Sequence, residues 1–362
     1  MSRGPQTLVP LPTQPRGLPW PTREWEEGPV PRGVELAPLL DAALDPDGPQ
    51  SFTYAVVVIH RGRLVAERYD GVIEHWERAD EPVGPGTQLL SWSMAKSMLH
   101  AAVGTLVGEG RLRPDAPAPV PQWAAPTDPR RDITLQQLLE MRDGLDFVED
   151  YVDARASDVI EMLFGAGKDD VAAFAADRQP VAPPGHRFNY SSGTSNIVSA
   201  VVGREVGLGE SYARFLRDRL FEPIGAESAR PTLDAAGTWV ASSYVHATAR
   251  DFARFGYLYL RDGVWDGQRV LPEGWVDHGR RARSVDPEDG SRYGAHWWVA
   301  DDGHGSFWAS GYEGQSILLC PALDLVVVRL GKTPSDRYPQ LREWREAVAA
   351  AFAAAGDAIL GG

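Results

Sequence analysis

The chain has 362 residues and 36 basic side chains, yet only three of those are lysine: Lys96, Lys168 and Lys332. Cysteine is scarcer still. The single Cys320 excludes an internal disulfide and any CxxC metal site. No run of 18 apolar residues occurs, so no transmembrane helix and no membrane partner are expected. Positive charge is short overall: the formal net charge is −14 and there is no basic run. Phosphate binding needs clustered Lys and Arg, so no nucleic-acid partner is expected. The proline-rich start lacks a continuous apolar segment, which argues against a secretory signal. With the lone cysteine, this makes a cytoplasmic address the expectation.

Several catalytic motifs are also missing. An α/β-type Ser-His-Asp hydrolase needs Gly-x-Ser-x-Gly after a strand, and no such pentapeptide occurs. Zinc hydrolysis needs a cluster such as HExxH. The eight histidines are scattered and read as surface or hydrogen-bonded structural residues. There is no GxGxxG, and Gly331-Lys332-Thr333 lacks the upstream glycine of a P-loop. No metal, nucleotide or other cofactor is expected.

What remains is an ordinary globular composition, 43% hydrophobic and 24% charged, in a chain long enough to bury a large core. Residues 1–33 read as an extended proline-rich arm and 34–362 as one catalytic domain. Tyr54 to Tyr69 reads as a β-hairpin turning at His60-Arg61-Gly62-Arg63. Trp297–Val299, Ser316–Cys320 and Leu325–Leu330 are further strands, the last two joined by Pro321-Ala322-Leu323-Asp324. A terminal helix over 340–355 follows Pro339. Between them the spacing is helical, at 133–141, 156–164, 171–176, 193–206, 211–220 and 249–261. The pattern predicts an α+β fold in which strands from both ends of the sequence join in one antiparallel sheet. An α/β part at 34–112 and 235–362 would carry a mainly helical insertion at 113–234.

The rare Lys96 lies in Ser91 to Leu99, SWSMAKSML. A helix from Ser93 to about Gly108 places Trp92, Lys96, Leu99, Val103 and Leu106 on one apolar stripe. Burial disfavours a charged amine, so this lysine can be neutral near pH 7 and accept a proton, as arginine cannot. Ser93 sits one turn earlier, where backbone N–H groups favour developing negative charge. These are the parts of an activated nucleophile. Twenty serines and three lysines produce an accidental Ser-x-x-Lys in roughly one such chain in six, so the bare motif decides little. Tyr190, in Phe188-Asn189-Tyr190-Ser191-Ser192, is a second candidate proton carrier, and a neighbouring ammonium would favour its phenolate.

Ser93-Met94-Ala95-Lys96, followed about a hundred residues later by Tyr190-Ser191-Ser192, resembles the serine β-lactamase and penicillin-binding-protein superfamily. The similarity is to the branch with Tyr-x-Asn in its middle motif, which holds class C β-lactamases, D-aminopeptidases, family esterases and 6-aminohexanoate-dimer hydrolases. It spans about 34–352 and extends to LQQLLEMRDGLDF (135–147), TARDFARFGYLYLRDG (248–263) and SGYEGQSILLCPALDLVVV (310–328). The resemblance implies a β-lactamase/transpeptidase-like fold, with Ser93 as the acylated nucleophile and Lys96 and Tyr190 sharing the proton work. Ser192 stands where the motif has Asn and has a shorter reach. The third motif, Lys-Thr-Gly or His-Thr-Gly on an edge strand, falls at Ala309-Ser310-Gly311. The cation is lost, while the backbone N–H of Ser93 and Tyr312 would still form the oxyanion hole. Lys332-Thr333-Pro334 reads as a solvated strand end. Asp146 to Tyr151 resembles the loop that 6-aminohexanoate-dimer hydrolases place over their site, with Tyr151 against substrate. Glu149, Asp158 and Glu161 nearby could attract an amine, although a solvated acidic face is the default.

The resulting expectation is a serine hydrolase of a small-molecule ester or linear amide, with which a homodimer is compatible. The alternatives are a β-lactamase or D-Ala-D-Ala peptidase, disfavoured by Ala309 and the missing export signal, and a non-catalytic binding or sensor protein of the same fold. The latter has no need of a buried lysine.

Overall fold

The computed structural model describes residues 7–48, 52–74, 79–153 and 156–360, without the side chains of 356–360. His75 and the first six residues of the arm lie outside the described residues. Eight strands form one antiparallel sheet: β1 (Phe52–His60), β2 (Arg63–Tyr69), β3 (Ser284–Val285), β4 (Arg292–Tyr293), β5 (Trp298–Val299), β6 (Phe307–Gly311), β7 (Gln315–Cys320) and β8 (Leu325–Lys332). Their spatial order is β3-β4-β5-β6-β7-β8-β1-β2, so the two ends of the sequence meet where β1 pairs with β8. The β1–β2 turn places Arg61 and Gly62 at φ 49° and 76°, the two positive angles that match the twist of a two-residue hairpin.

The central strands are apolar throughout because both faces are covered. Side chains alternate along a strand, and the burial divides accordingly. Ala55, Val57, Ile59, Val326 and Val328 face one core; Val56, Val58, Leu325 and Val327 face the other. The second core is closed by α1 (Ala37–Leu44) and the terminal helix α10 (Tyr338–Leu360). The first is shared with α2 (Met94–Gly108), α8 (Ala249–Leu260) and the intervening helices α3 (Leu135–Leu139), α4 (Asp158–Phe164), α5 (Val171–Ala176), α6 (Ser192–Val206) and α7 (Glu210–Leu216). The short helix α9 (Trp275–Arg280) precedes β3.

Two expectations need correction. Trp92 is not on the helical stripe: its φ of 44° puts it in a left-handed turn before α2. Nor does α2 have a single apolar face, since every residue from Met94 to Leu106 is buried. The helix runs through the middle of the molecule, and Lys96 is inside it. The described part of the arm, from residue 7, lies extended along α8 and its surroundings. Arg254 donates to the carbonyls of Pro21 and Arg23, and Tyr257 to Gln14 Oε1 at 2.6 Å.

Three histidines around α2 are buried or nearly so and hydrogen-bonded. His100 contacts Tyr259 at 2.8 Å and His278 at 3.0 Å, and His278 in turn meets Gln136 at 2.7 Å. His296 bonds Ser195 and the Leu139 carbonyl. Desolvation first, with like-charged neighbours adding to it, pushes His278 down to about 4 and His100 well below its ordinary value. Desolvation likewise holds His296 at about 3. An unfolded histidine takes its proton near 6.5, so between that value and the folded pKa the unfolded state binds more protons and stability is lost as the pH is lowered. Asp143, pushed up to about 6 by burial, acts in the opposite sense, as do Asp234, Asp262 and Asp324, which burial also raises. With His60 and His246, five lowered histidines stand against these four. Urea unfolding followed at pH 7.5, 6.5, 5.5 and 4.5 is expected to show a midpoint that declines progressively below about pH 6.5.

Candidate active site

A serine at a helix start normally turns its hydroxyl onto the backbone N–H two or three residues on. Ser93, at the start of α2, makes no such cap. Its Oγ instead meets Lys96 Nζ at 2.9 Å. Lys96 is 1% exposed. Its amine also lies 3.1 Å from Ser192 Oγ at the first turn of α6 and donates to the Ser242 carbonyl at 2.9 Å. Burial lowers Lys96 to about 8, against the opposing pull of the Glu149 charge. The amine is thus available as a base near neutral pH.

Tyr190 closes the group. Lys96 Nζ stands 4.9 Å from its ring centroid, and its hydroxyl shares a hydrogen bond with Ser93. The ring stacks on Trp298 at 5.5 Å and meets Tyr293 edge-on. The sequence suggested a phenolate here, and the environment reverses that. Burial, followed by the Glu149 charge, drives Tyr190 well above the ordinary phenol range, and the Ser93 bond offsets this only in part. Tyr190 is a proton donor in the resting site.

The wall opposite is the end of β6. This strand is interior to the sheet, not at its edge. However, β5 pairs only with Phe307 and Trp308, so Ser310 and Gly311 project beyond it toward the cleft. A Cβ at Gly311 would fall 2.4 Å from the Ser91 carbonyl, so only glycine lets the strand approach the turn carrying Ser93 this closely. Beyond it, the loop Tyr312–Gly314 is held from beneath by the buried Arg329, which donates to the carbonyls of Glu313 and Gly314. Gln315 adds a bond to the Tyr312 carbonyl. Glu313, at φ 60°, reaches Trp92 Nε1 at 3.3 Å, so two left-handed residues on either side of the site brace each other.

Ser93, Tyr190, Tyr151, Ser310, Gly311 and Tyr312 all line one cleft of about 800 Å³, and Lys96 and Ser192 lie directly beneath it. Tyr151 stacks on Tyr312 at 4.6 Å. Its hydroxyl is given to Glu149 at 2.9 Å and does not point free into the cleft. Ala309 is buried, at 1% exposure, and offers no cation. Lys332 is an exposed strand end over Tyr54.

Sequence reasoning missed two members. The Ser242 carbonyl carries no residue-type signal. Glu149 was read by default as a solvated acid, yet its carboxylate accepts from Ser192 N–H at 2.7 Å and Ser192 Oγ at 2.5 Å. Its place two residues before Tyr151 was the available clue. Asp158 and Glu161 are elsewhere. Asp158 pairs with Arg178 at 2.8 Å, and Glu161 accepts from Ala166 N–H.

Comparison with known proteins agrees with this geometry. The family model described as Beta-lactamase matches residues 43–351. The chain belongs to the beta-lactamase family. It is 31% identical over 316 residues to the 6-aminohexanoate-dimer hydrolase of Paenarthrobacter ureafaciens, covering 82% of this chain and 76% of that one. Two solved structures share the fold. One is a Bacillus anthracis protein provisionally assigned as a 6-aminohexanoate-dimer hydrolase, with TM-score 0.73, 21% identity and 95% and 90% of the two chains covered. The other is a family VIII carboxylesterase, with TM-score 0.67, 17% identity and 89% and 99% covered. With its family and a 6-aminohexanoate-dimer hydrolase among its relatives, the chain is a serine hydrolase.

Replacing Gly311 by Ala is expected to push β6 off the Ser91 carbonyl. Ester turnover should drop by about a hundredfold if the Tyr312 N–H next to Gly311 serves as an oxyanion donor, the loss typical of displacing such a group, while Ser310→Ala, which adds no atom there, should lose far less. Parallel kcat/KM measurements and thermal melts of the two variants check this.

Proposed function

We propose that the protein hydrolyses a small linear amide or ester through an acyl-enzyme on Ser93. The observation that carries this reading is the 2.9 Å contact between Ser93 Oγ and a buried lysine amine lowered to about 8. Lys96 takes the Ser93 proton as Oγ attacks the carbonyl carbon, and the N–H groups of Ser93 and Tyr312 receive the oxyanion. Tyr190 gives its proton to the leaving nitrogen or oxygen, which departs and leaves the acyl-enzyme. The transient ammonium and phenolate face each other at the Lys96–Tyr190 contact. Water then yields a proton to Tyr190 and attacks the ester, and Lys96 returns its proton to Ser93.

The charge of the cleft bears on the substrate. Its described lining holds Asp146, Glu149, Asp150, Asp286 and Glu288 against Arg187. Such a cleft favours a substrate with a protonated amine and opposes the free carboxylate of a β-lactam or a D-Ala-D-Ala peptide. The 6-aminohexanoate dimer named for the Paenarthrobacter relative is a linear amide with an amine at one end and a carboxylate at the other. The acidic lining suits the first and opposes the second, so amine-bearing linear amides, with and without a terminal carboxylate, are the first class to screen.

Intact-protein mass after brief exposure to a fluorophosphonate, and separately to a penicillin, tests the reading. The expected result is a fluorophosphonate adduct absent in Ser93→Ala, turnover of p-nitrophenyl butyrate, and no stable penicillin adduct. A stable penicillin adduct or rapid penicillin turnover would move the protein to the β-lactam-recognising members of its family. Neither adduct nor turnover would remove Ser93 as nucleophile.

A further inference from the structure

The hydrogens around Lys96 can be assigned by asking which neighbours have none to give. Ser242 presents a backbone carbonyl, which only accepts, so one N–H of Lys96 points there. Ser192 has one hydroxyl hydrogen and three candidate acceptors: Lys96 Nζ at 3.1 Å, Glu149 Oε1 at 2.5 Å and the Tyr151 hydroxyl, whose own hydrogen also goes to Glu149. A carboxylate is acceptor-only, so the hydrogen goes to Glu149 and the Ser192 oxygen turns a lone pair toward Lys96. A second N–H is thereby fixed. A neutral amine has two N–H bonds and one lone pair, and the partner left for the lone pair is Ser93 Oγ.

Glu149 is itself held in place. Besides the Ser192 hydroxyl it accepts the Ser192 N–H at the positive end of α6 and the Tyr151 hydroxyl. The carboxylate thus has three donors on two oxygens.

We propose that Glu149 is a positioning residue: acting through Ser192, it sets the direction of the hydrogen bonds so that the lone pair of neutral Lys96 addresses Ser93. This rests on the reading of Ser93 as nucleophile and Lys96 as base. It explains how serine serves where the family motif has asparagine: the hydroxyl has no fixed polarity, and the carboxylate supplies one. A glutamine at 149 can donate its amide hydrogen to Ser192, turn the hydroxyl over and draw the Lys96 lone pair away from Ser93.

The titratable groups facing Lys96 are Glu149, Tyr190 and, from the other side, His296. Tyr190 is a phenol, and His296 is held neutral at about 3 by burial, which leaves Glu149 as the charge acting on the amine. That charge favours the ammonium, so removing it makes the lysine lose its proton at lower pH. Glu149→Gln therefore has two separable effects: a lower plateau of kcat/KM and an acid limb moved to lower pH.

The test is the pH profile of kcat/KM for p-nitrophenyl butyrate in the wild type, Glu149→Gln, Ser192→Ala, Ser192→Thr and the Glu149→Gln/Ser192→Ala double variant. This ester has no amine, so loss of a substrate anchor would not register. The wild-type limb is expected near pH 8, with a plateau at least about tenfold lower in Glu149→Gln and Ser192→Ala. Ser192→Thr, which keeps the hydroxyl, should hold most of the rate. The double variant should be little worse than either single one, because both break the same relay. A Glu149→Gln plateau equal to wild type, an unmoved limb, or additive losses would overturn the proposal. If Glu149→Gln does not fold, Ser192→Ala decides alone: wild-type rates there would also overturn it. A wild type that shows no Ser93-dependent adduct fails at the earlier reading instead.

Discussion

The structure depends on keeping one amine out of water. Lys96 sits on a helix buried on every side, and desolvation lowers its affinity for a proton from 10.5 to about 8, roughly 3 kcal/mol in favour of the neutral form. Such a group is tolerated only if its polar bonds are made. The three oxygens that make them come from different parts of the chain: Ser93 on α2, Ser192 on α6, and Ser242 on the segment leading to the strand Val245–Ala247. The site is therefore where α2, α6 and the segment leading to Val245–Ala247 must agree in position.

The opposite wall of the cleft has its own constraint. Trp92 and Glu313 are non-glycine residues in left-handed conformations, and each is bonded to the other across the site. Conformations of this kind persist only where the surroundings over-determine them. Here the Gly311 contact with Ser91, the Arg329 bonds beneath the loop and the stacked Tyr151 and Tyr312 rings supply that determination. The same contacts set the distance between the Ser93 turn and the end of β6.

Much of this was legible in the sequence. The hairpin, β7, β8 and the helices near 171–176, 193–206 and 249–260 follow from apolar periodicity and turn residues, because local pattern and tertiary burial agree there. The joining of both chain ends in one sheet follows from where the strand-like segments fall. Other features were out of reach. Trp92 lies in a left-handed turn, and its indole N–H is bonded to Glu313, 221 residues away, a partner no local pattern indicates. The proton on Tyr190 depends on a desolvation that no motif encodes. Glu149 was hidden because an acidic residue in a polar loop looks the same whether it faces solvent or caps a helix beside a lysine.

The scarcity of lysine makes the central claim open to direct measurement. With lysine labelled by 13C at Cε, the protein should give three signals, and the one missing in Lys96→Met is assigned. Its chemical shift followed from pH 6 to 11 in Ser93→Ala, so that no acyl-enzyme can form, reports the proton on the buried amine without reference to turnover. The account predicts a midpoint about 8, well below the ordinary 10.5 of lysine. A midpoint at the ordinary value would contradict it, because a lysine that stays charged through neutral pH cannot be the base that activates Ser93.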